Sequence, residues 1–160
     1  MRKLKNSELN RIDVSTFKSI KKTPLIIILD DIRSLNNIGS IFRTCDAFKI
    51  EKIYLCGITA KPPNRKITKT AIGATESVDW EYYEKIDDLI SKLKSSNVKL
   101  WAIEQAEGSK SLSDLSIENP VIKHALIFGN EINGVNQNIV NNCCLLYTSE
   151  LPTRAVVGVG

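Results

Sequence analysis

The feature that most constrains the fold is an unbroken apolar run that ends in a polar turn and continues as an amphipathic segment. Leu25–Leu29 contains only leucine and isoleucine, which is typical of a strand buried on both faces of a parallel sheet. A turn with two asparagines follows, and apolar residues then recur every three or four positions from Ile38 to Phe48, which predicts a helix. Leu29–Thr44 is therefore the kind of strand–loop–helix corner at which open α/β proteins place ligand chemistry.

The remainder of the chain repeats this alternation of short apolar runs and amphipathic segments. Further strands are predicted at Lys52–Cys56, Val78–Tyr83, Val98–Ile103 and His124–Phe128, and further helices at Ser7–Ile20, Lys85–Ser95 and 136–143. Ile58–Thr70 is predicted as a loop, Ala71–Thr75 as a tight turn, and Glu104–Pro120 as irregular. The pattern predicts a single α/β domain with a mostly parallel sheet flanked by helices.

Composition excludes several classes of protein. A chain of 160 residues with 42% hydrophobic and 25% charged residues is expected to form one globular domain rather than a disordered segment. No apolar run approaches the length of a membrane span, so we expect a cytoplasmic protein without membrane contact. The four cysteines form no C-x-x-C pair and there is one histidine, so we expect reduced thiols and no metal site.

Positive charge is concentrated in two segments. Residues 1–22 contain seven Lys or Arg and two acidic residues, and residues 61–70 contain Lys61, Arg65, Lys66 and Lys69 without any acidic residue. Clustered basic side chains favour a polyanionic partner because they release counterions from a phosphate backbone. The alternative is an ordinary solvated helix face and surface loop, and composition alone does not exclude it.

Two polar turns follow predicted buried strands, at Asp30–Gly39 and Gly129–Gly134. In a parallel sheet both would open on the same edge. Neither turn contains a P-loop or a dinucleotide-binding glycine pattern, which disfavours a nucleotide-binding module. From spacing alone, Arg43 could equally be a surface arginine paired with Asp46 or Asp30, and Glu131 a carboxylate that accepts hydrogen bonds from turn amides.

Three segments resemble one family of RNA-modifying enzymes. Asn37-Ile-Gly-Ser-Ile-Phe-Arg43-Thr resembles the N-x-G-x-x-x-R-T motif of the SpoU–TrmH branch of the SPOUT RNA methyltransferases. Ile127–Gly134 resembles the second motif of that branch, with its F-G-x-E-x-x-G core, and Lys69–Val78 resembles the Gly-Ala turn between the two. The matches follow the family order and cover residues from about 24 to 144.

The resemblance implies a sheet tied in a trefoil knot, S-adenosylmethionine as cofactor, a homodimer, and methyl transfer to a ribose 2′-hydroxyl of tRNA or rRNA. It implies catalytic roles for Arg43, Asn37 and Glu131. The implied cofactor-binding positions are Phe128, Gly129, Asn130 and Gly134. A guanidinium with a pKa above about 12 is a poor base, so we expect Arg43 to clamp a phosphate, with Asn37 and Glu131 holding its fork. The alternative function is RNA binding without catalysis.

The end of the sequence departs from the family pattern. The family's third motif, an Ile-Pro strand end followed by Ser-Leu-Asn, is not found after Cys144. We therefore divide the chain into a basic extension (1–23), an incomplete methyltransferase domain (24–144) and a non-family tail (145–160). A translated sequencing adapter, a natural divergent terminus and a frameshift near residue 144 are alternative origins of this tail. We expect the knot-closing segment to be missing, leaving a sheet edge unpaired and the chain inactive.

Overall fold

Over the residues that the structure describes, the strands form one parallel sheet of seven members. The computed structural model describes residues 1–5, 8–9, 12–104, 106–107, 109–111, 114, 121–143 and 145–148. The strands are β1 (Thr23–Asp30), β2 (Ile50–Cys56), β3 (Trp80–Tyr83), β4 (Lys99–Ile103), β5 (Lys110–Ser111), β6 (His124–Phe128) and β7 (Leu145–Thr148). The helices are α1 (Val14–Ser19), α2 (Leu35–Ala47), α3 (Arg65–Ala71), α4 (Ala74–Ser77), α5 (Ile86–Ser95) and α6 (Gln137–Val140). The strand order is β3-β2-β1-β6-β4-β7-β5.

Both faces of the sheet are covered, which explains the unbroken apolar run in β1. Ile26 and Ile28 belong to a core cluster with side chains of α5 and α6. Ile27 and Leu29 belong to a second cluster, with side chains of α2, α3 and α4. Successive residues of a strand point to opposite faces, so a central strand between two helical layers is apolar at every position. The predicted α/β class with a mostly parallel sheet is confirmed.

The order of the strands brings the two polar turns together. β1 lies between β2 and β6, with Leu29 opposite Phe128 and Asp30 opposite Cys56. All these pairs are parallel, so the carboxyl ends of β1, β2 and β6 lie at one edge. The expectation that the turns after β1 and β6 open on the same edge is therefore confirmed.

The sequence misassigned part of the basic segment. Ile58–Thr70 was expected to be a loop throughout, but Arg65–Ala71 is helix α3. The side chain of Asn64 caps this helix by accepting a hydrogen bond from the amide of Lys66 at 3.0 Å. The buried side chain of Ile67 packs into the cluster beneath α2. Tertiary packing therefore stabilises a helix of seven residues that has little periodicity of its own.

Other elements differ in length from the predictions. In the predicted helix Ser7–Ile20, α1 occupies only Val14–Ser19, and residues 7, 10 and 11 lie outside the described part. The predicted helix over 136–143 is reduced to Gln137–Val140. Within Glu104–Pro120, expected to be irregular, Lys110–Ser111 forms the short strand β5.

The segment expected to leave a strand edge unpaired instead contains a strand. The backbone of Leu145–Thr148 pairs with β4, placing Leu145 opposite Trp101, and also with β5. Within the described residues, the edge of β4 that does not pair with β6 is therefore covered by β7. The rest of the predicted non-family tail, residues 149–160, lies outside the described residues. The prediction that the knot-closing segment is missing also concerns this part of the chain.

Candidate active site

The loop after β1 and the loop after β6 are joined by the carboxylate of Glu131. Its two oxygens accept hydrogen bonds from the backbone amides of Arg33 at 3.1 Å and Ser34 at 3.0 Å. Ser34 is the N-cap of α2, so the carboxylate lies at the positive end of a helix of thirteen residues. The interpretation of Glu131 as an acceptor of turn amides is confirmed.

Asn37 reaches the same carboxylate. Partial burial raises the pKa of Glu131, but the hydrogen bonds from the amides of Arg33 and Ser34 and from the Asn37 side chain outweigh it, so the pKa is lowered overall. These bonds are made to the charged form. The carboxylate is thus held ionised at neutral pH, and two of the three predicted catalytic residues, Asn37 and Glu131, lie in contact.

The loop after β6 is a closed turn. The Asn130 side chain donates to the carbonyl of Asp31 at 2.8 Å and accepts from the amide of Ile132 at 2.9 Å. A Cβ at Gly129 would lie 2.2 Å from the carbonyl carbon of Gly134. Gly129 therefore allows the two ends of the turn to approach each other closely. Phe128, before the turn, is half-buried against the core cluster on the α2 face.

A residue that the sequence did not single out adds a third loop to this edge. Glu104 directly follows β4, and its carboxylate accepts a hydrogen bond from the amide of Val135 at 2.7 Å. A Cβ at Gly134, where φ is +67°, would lie 2.0 Å from Glu104 Oε2. The sequence signal that could have indicated Glu104 is a polar residue directly after a predicted strand. Since β4 ends at the same edge as β6, such a residue lies beside the loop after β6.

Arg43 lies apart from Asn37 and Glu131. Six residues along α2 correspond to about 9 Å along the axis and about 240° of rotation, so Arg43 lies on a different, exposed face. Over the described residues it forms no ion pair with Asp46 or Asp30 and no hydrogen bond with Asn37 or Glu131. The expected hydrogen bonds from the guanidinium group of Arg43 to the side chains of Asn37 and Glu131 are therefore not found among the described residues.

Arg43 instead lines a groove between α2 and α3. The groove has a volume of about 560 Å³ and is lined also by Phe48, Lys69 and Ile72. Gly39 lets the two helices approach, because a Cβ there would lie 2.4 Å from the carbonyl oxygen of Ile67. The glycine of the first motif therefore serves helix packing in this structure, and α3 places a second cation next to Arg43.

The other predicted RNA-binding residues are exposed along α3 and the segment before it. Arg65, Lys66 and Lys69 lie on the solvent side of α3, and Lys61 lies 4.0 Å above the ring of Tyr82. The ion pairs found within the described ranges involve none of these four residues. Their charges are therefore not neutralised by neighbouring carboxylates.

The chain matches a model of a known family over most of its length. Residues 24–157 match the family described as the SpoU rRNA methylase family. The chain belongs to the SpoU rRNA methylase family. The matched residues include both loops at the carboxyl edge and continue past Cys144.

Individual SpoU-family relatives are longer than this chain. It is 30% identical over 144 residues to an uncharacterized tRNA/rRNA methyltransferase of Borreliella burgdorferi, covering 90% of this chain and 60% of that protein. It is 29% identical over 124 residues to a tRNA (guanosine(18)-2′-O)-methyltransferase of Aquifex aeolicus, covering 75% of this chain and 55% of that protein. The chain thus spans somewhat more than half the length of these relatives.

Solved structures of SpoU-type enzymes share the fold. An AdoMet-bound rRNA methyltransferase from Sinorhizobium meliloti superposes with a TM-score of 0.76 at 23% identity, covering 87% of this chain and 52% of that one. The TrmH/SpoU tRNA-modifying enzyme of A. aeolicus gives a TM-score of 0.70 at 20% identity, covering 84% of this chain and 68% of that one. The sheet and helices of this family member therefore adopt the SPOUT methyltransferase fold.

None of the helices in the described part of the chain is long and apolar enough to cross a membrane. Across the same described ranges, no group of three or more His, Cys, Asp or Glu residues is arranged to hold a metal ion.

Proposed function

We propose that the SpoU-family domain of this chain is of the type that transfers a methyl group from S-adenosylmethionine to a ribose 2′-hydroxyl of tRNA or rRNA. That the 160-residue chain as written is inactive stays a separate prediction, which methyl incorporation by the unmodified chain would contradict. The observation that carries the proposal is the contact of Glu131 with Arg33, Ser34 and Asn37, which joins the two motif loops at the carboxyl edge. The names of relatives support the reaction and the substrate class, since they include a tRNA (guanosine(18)-2′-O)-methyltransferase and a 23S rRNA (guanosine-2′-O-)-methyltransferase.

The residues present fit the cofactor. A groove of about 730 Å³ lies beside the loop after β6 and is lined by Glu104, Glu107 and Asn133 among others. This volume is typical of small-molecule sites, and two carboxylates suit a ligand that carries a sulfonium and an ammonium group. The loop after β6 contributes Asn133 to this groove, and we assign the predicted cofactor positions in and before that loop, Phe128, Gly129, Asn130 and Gly134, to the same cofactor site.

When bound, S-adenosylmethionine supplies an electrophilic methyl group. The chain itself contributes position and charge: Glu131 and Asn37 fix the two loops relative to each other, so that the ends of β1 and β6 form one rigid edge. Arg43 binds a phosphate of the target RNA and stabilises negative charge that develops on the ribose oxygen, because a guanidinium donates several hydrogen bonds but accepts no proton.

The substitution Arg43→Lys tests this role. It keeps the charge but removes the planar fork, so we expect methyl incorporation to fall by at least about tenfold while the unfolding midpoint stays unchanged. Incorporation is measured with labelled cofactor and confirmed as 2′-O-methylnucleoside by mass spectrometry. Arg2→Lys, at an exposed arginine paired with Glu8 at 2.7 Å, is the matched control. Near-full activity of Arg43→Lys would contradict the assigned role.

The exposed cations of α3, together with Lys61 in the segment before it, are proposed to bind the RNA. Replacing Lys61, Arg65, Lys66 and Lys69 by Ala should reduce the slope of log affinity against log salt by about one unit for each lost phosphate contact. Lys99→Ala, at the amino end of β4, should leave the slope unchanged. RNA binding by the unmodified chain with no methyl transfer to tRNA or rRNA would favour the alternative, an RNA-binding protein without catalysis.

We also propose that the functional form is a homodimer. Phe48 and Ile72 are 68% and 65% exposed and lie together in the Arg43 groove, and clustered exposed apolar side chains mark contact surfaces. Phe48→Ser combined with Ile72→Ser should shift the sedimentation equilibrium towards monomer, whereas Val121→Ser, at another exposed apolar residue, should not. A monomeric unmodified chain would contradict the proposal.

Cytoplasm is the proposed location. Cys45 and Cys56 are free thiols, and burial raises the pKa of each to about 12. Reduced, unreactive thiols suit a reducing compartment, which is also where tRNA and rRNA are found. Fractionation of cells that express a tagged chain tests this.

A further inference from the structure

The residue that directly follows β1 has a backbone conformation that non-glycine residues seldom adopt. Asp31 lies in the left-handed region, with a φ of +55°. Aspartate tolerates this region better than most residues do, but the conformation persists only where surrounding contacts hold it, and such positions cluster at functional sites. The contacts that hold Asp31 are therefore informative about its role.

The side chain of Asp31 ties the loop after β1 to the loop after β2. Its Oδ1 accepts a hydrogen bond from the amide of Ile58 at 2.9 Å, and its own amide donates to the carbonyl of Cys56 at 3.3 Å. Gly57, between these two partners, leaves room for the carboxylate, because a Cβ there would lie 2.0 Å from Asp31 Oδ1. The left-handed turn thus carries a side-chain acceptor that bridges to a second loop.

The backbone of Asp31 ties the same loop to the loop after β6. Its carbonyl accepts a hydrogen bond from the side-chain amide of Asn130 at 2.8 Å. The side-chain oxygen of Asn130 in turn accepts from the amides of Ile132 at 2.9 Å and Asn133 at 3.2 Å, within its own turn. Asn130 therefore spans the two loops, and it directly precedes Glu131 in the chain.

We propose that Asp31 is a positioning residue, which holds the three loops after β1, β2 and β6 in one arrangement. Its left-handed backbone directs the carbonyl at Asn130 while the carboxylate holds the amide of Ile58, so each contact supports the other. Glu131, next to Asn130, is thereby held against the start of α2. The role deepens the proposed function and rests on it for the reaction, because Asp31 acts through these contacts rather than on a reacting atom.

The contact with Ile58 also fixes the beginning of the basic segment. Ile58 precedes Lys61 by three residues, and the same loop leads into the basic helix α3. The buried hydroxyl of Thr59 adds a second tie, since it accepts from the amide of Ile32 at 2.9 Å and donates to the carbonyl of Leu29 at 3.0 Å. The proposed RNA-binding cations therefore have a fixed position relative to the carboxyl edge.

Two substitutions separate the side-chain acceptor of Asp31 from its backbone conformation. Asp31→Asn keeps an oxygen acceptor and a residue that tolerates the left-handed region, whereas Asp31→Gly keeps the conformation accessible but removes the acceptor. Amide hydrogen exchange is measured by NMR on the full chain, without cofactor or RNA. We expect exchange of the amides of Ile132 and Asn133 to accelerate at least about tenfold in Asp31→Gly and to stay near that of the unmodified chain in Asp31→Asn.

The side-chain amide resonances of Asn130 report the coupling directly. They should move in Asp31→Gly and not in Asp31→Asn, while exchange of the Ile27 amide in β1 stays unchanged. Asn97→Gly is the matched control, because Asn97 is also left-handed, with a φ of +56°, but precedes the amino end of β4 at the opposite edge of the sheet. Unmoved Asn130 resonances in Asp31→Gly, equal acceleration in the loop and in β1, or failure of Asp31→Asn to restore protection would each overturn the proposal.

The outcome for Asp31 can be separated from the outcome for methyl transfer. Hydrogen exchange involves no methyl group, so the expected exchange pattern in a chain without methyl transfer would leave the three-loop tie standing and count against the proposed function. Where methyl incorporation is measured, Asp31→Gly should lower kcat at least about tenfold with KM for RNA unchanged, and Asp31→Asn should restore kcat. An unchanged kcat in Asp31→Gly would overturn the positioning role and leave the proposed function intact.

Discussion

Replacing Asp30 by Asn should stabilise the chain, and the effect should depend on pH. Burial, followed by the charges of Asp31 and Asp87, raises the pKa of Asp30 from 3.8 to about 6 in the folded protein. The folded chain therefore binds a proton more readily than the unfolded chain between about pH 4 and pH 6. Because the unfolded state binds fewer protons in this range, the free energy of unfolding falls as the pH rises through it.

The size of the effect follows from the pKa difference. A difference of about 2 pKa units corresponds to about 3 kcal/mol, which the ionised carboxylate costs the folded state above pH 6. The neutral amide of Asn avoids this cost. We expect Asp30→Asn to raise the free energy of unfolding by as much as about 3 kcal/mol at pH 8 and to leave it nearly unchanged at pH 4.

Urea denaturation at pH 4 and at pH 8 provides the measurement. With a slope of about 2 kcal/mol/M, the midpoint at pH 8 should rise by about 1–1.5 M in Asp30→Asn. Asp88→Asn serves as the control, because Asp88 is exposed on the same helix and its charge is not among the causes that raise the pKa of Asp30. An equal shift at both pH values, or a lower midpoint at pH 8, would show that Asp30 is not a desolvated, unpaired charge.

Three further predictions concern other parts of the fold. Ile127→Ala, at a fully buried residue of β6, should lower the free energy of unfolding by about 2–5 kcal/mol, whereas Ile132→Ala, 76% exposed, should change it by less than about 0.5 kcal/mol in the same urea titration. Glu131→Ala leaves the amides at the start of α2 without their acceptor, so hydrogen exchange there should accelerate; unchanged exchange would refute the role. Burial lowers the pKa of His124, whose Nδ1 accepts from Trp101 at 2.8 Å, so the thermal midpoint of the unmodified chain minus that of His124→Gln should fall as the pH drops below about 6.5, and a difference that is independent of pH would contradict this.

Local pattern was sufficient for the elements whose burial is uniform. β1 and β6 were located from their apolar runs, because the middle of a strand that lies between two helical layers is buried on both faces and favours apolar residues at consecutive positions. The same pattern predicted that the loops after these strands share one edge. The short helix α3 could not be predicted in this way, since it depends on Ile67 packing beneath α2 and on the close approach at Gly39.

The contacts of the candidate site were likewise predicted only in part from the sequence. The resemblance of the two motifs predicted a shared site for Asn37 and Glu131, which lie in contact in the structure. It also predicted that Arg43 contacts both residues. Helix geometry decides against that contact within the chain, because six residues turn Arg43 to another face of α2. The position of Glu104 against Gly134 likewise depends on β4 lying next to β6.

By itself, the sequence determined the α/β class, the two loops and the family, because these depend on short-range pattern and on residue type. Only the tertiary structure decided which polar groups find partners. Asp30 ends β1 and Glu131 lies in the loop after the neighbouring strand β6, yet among the described residues only Glu131 accepts hydrogen bonds from backbone amides. That difference arises from segments about a hundred residues apart in the chain, whose relative positions are set by packing of the sheet and not by local sequence.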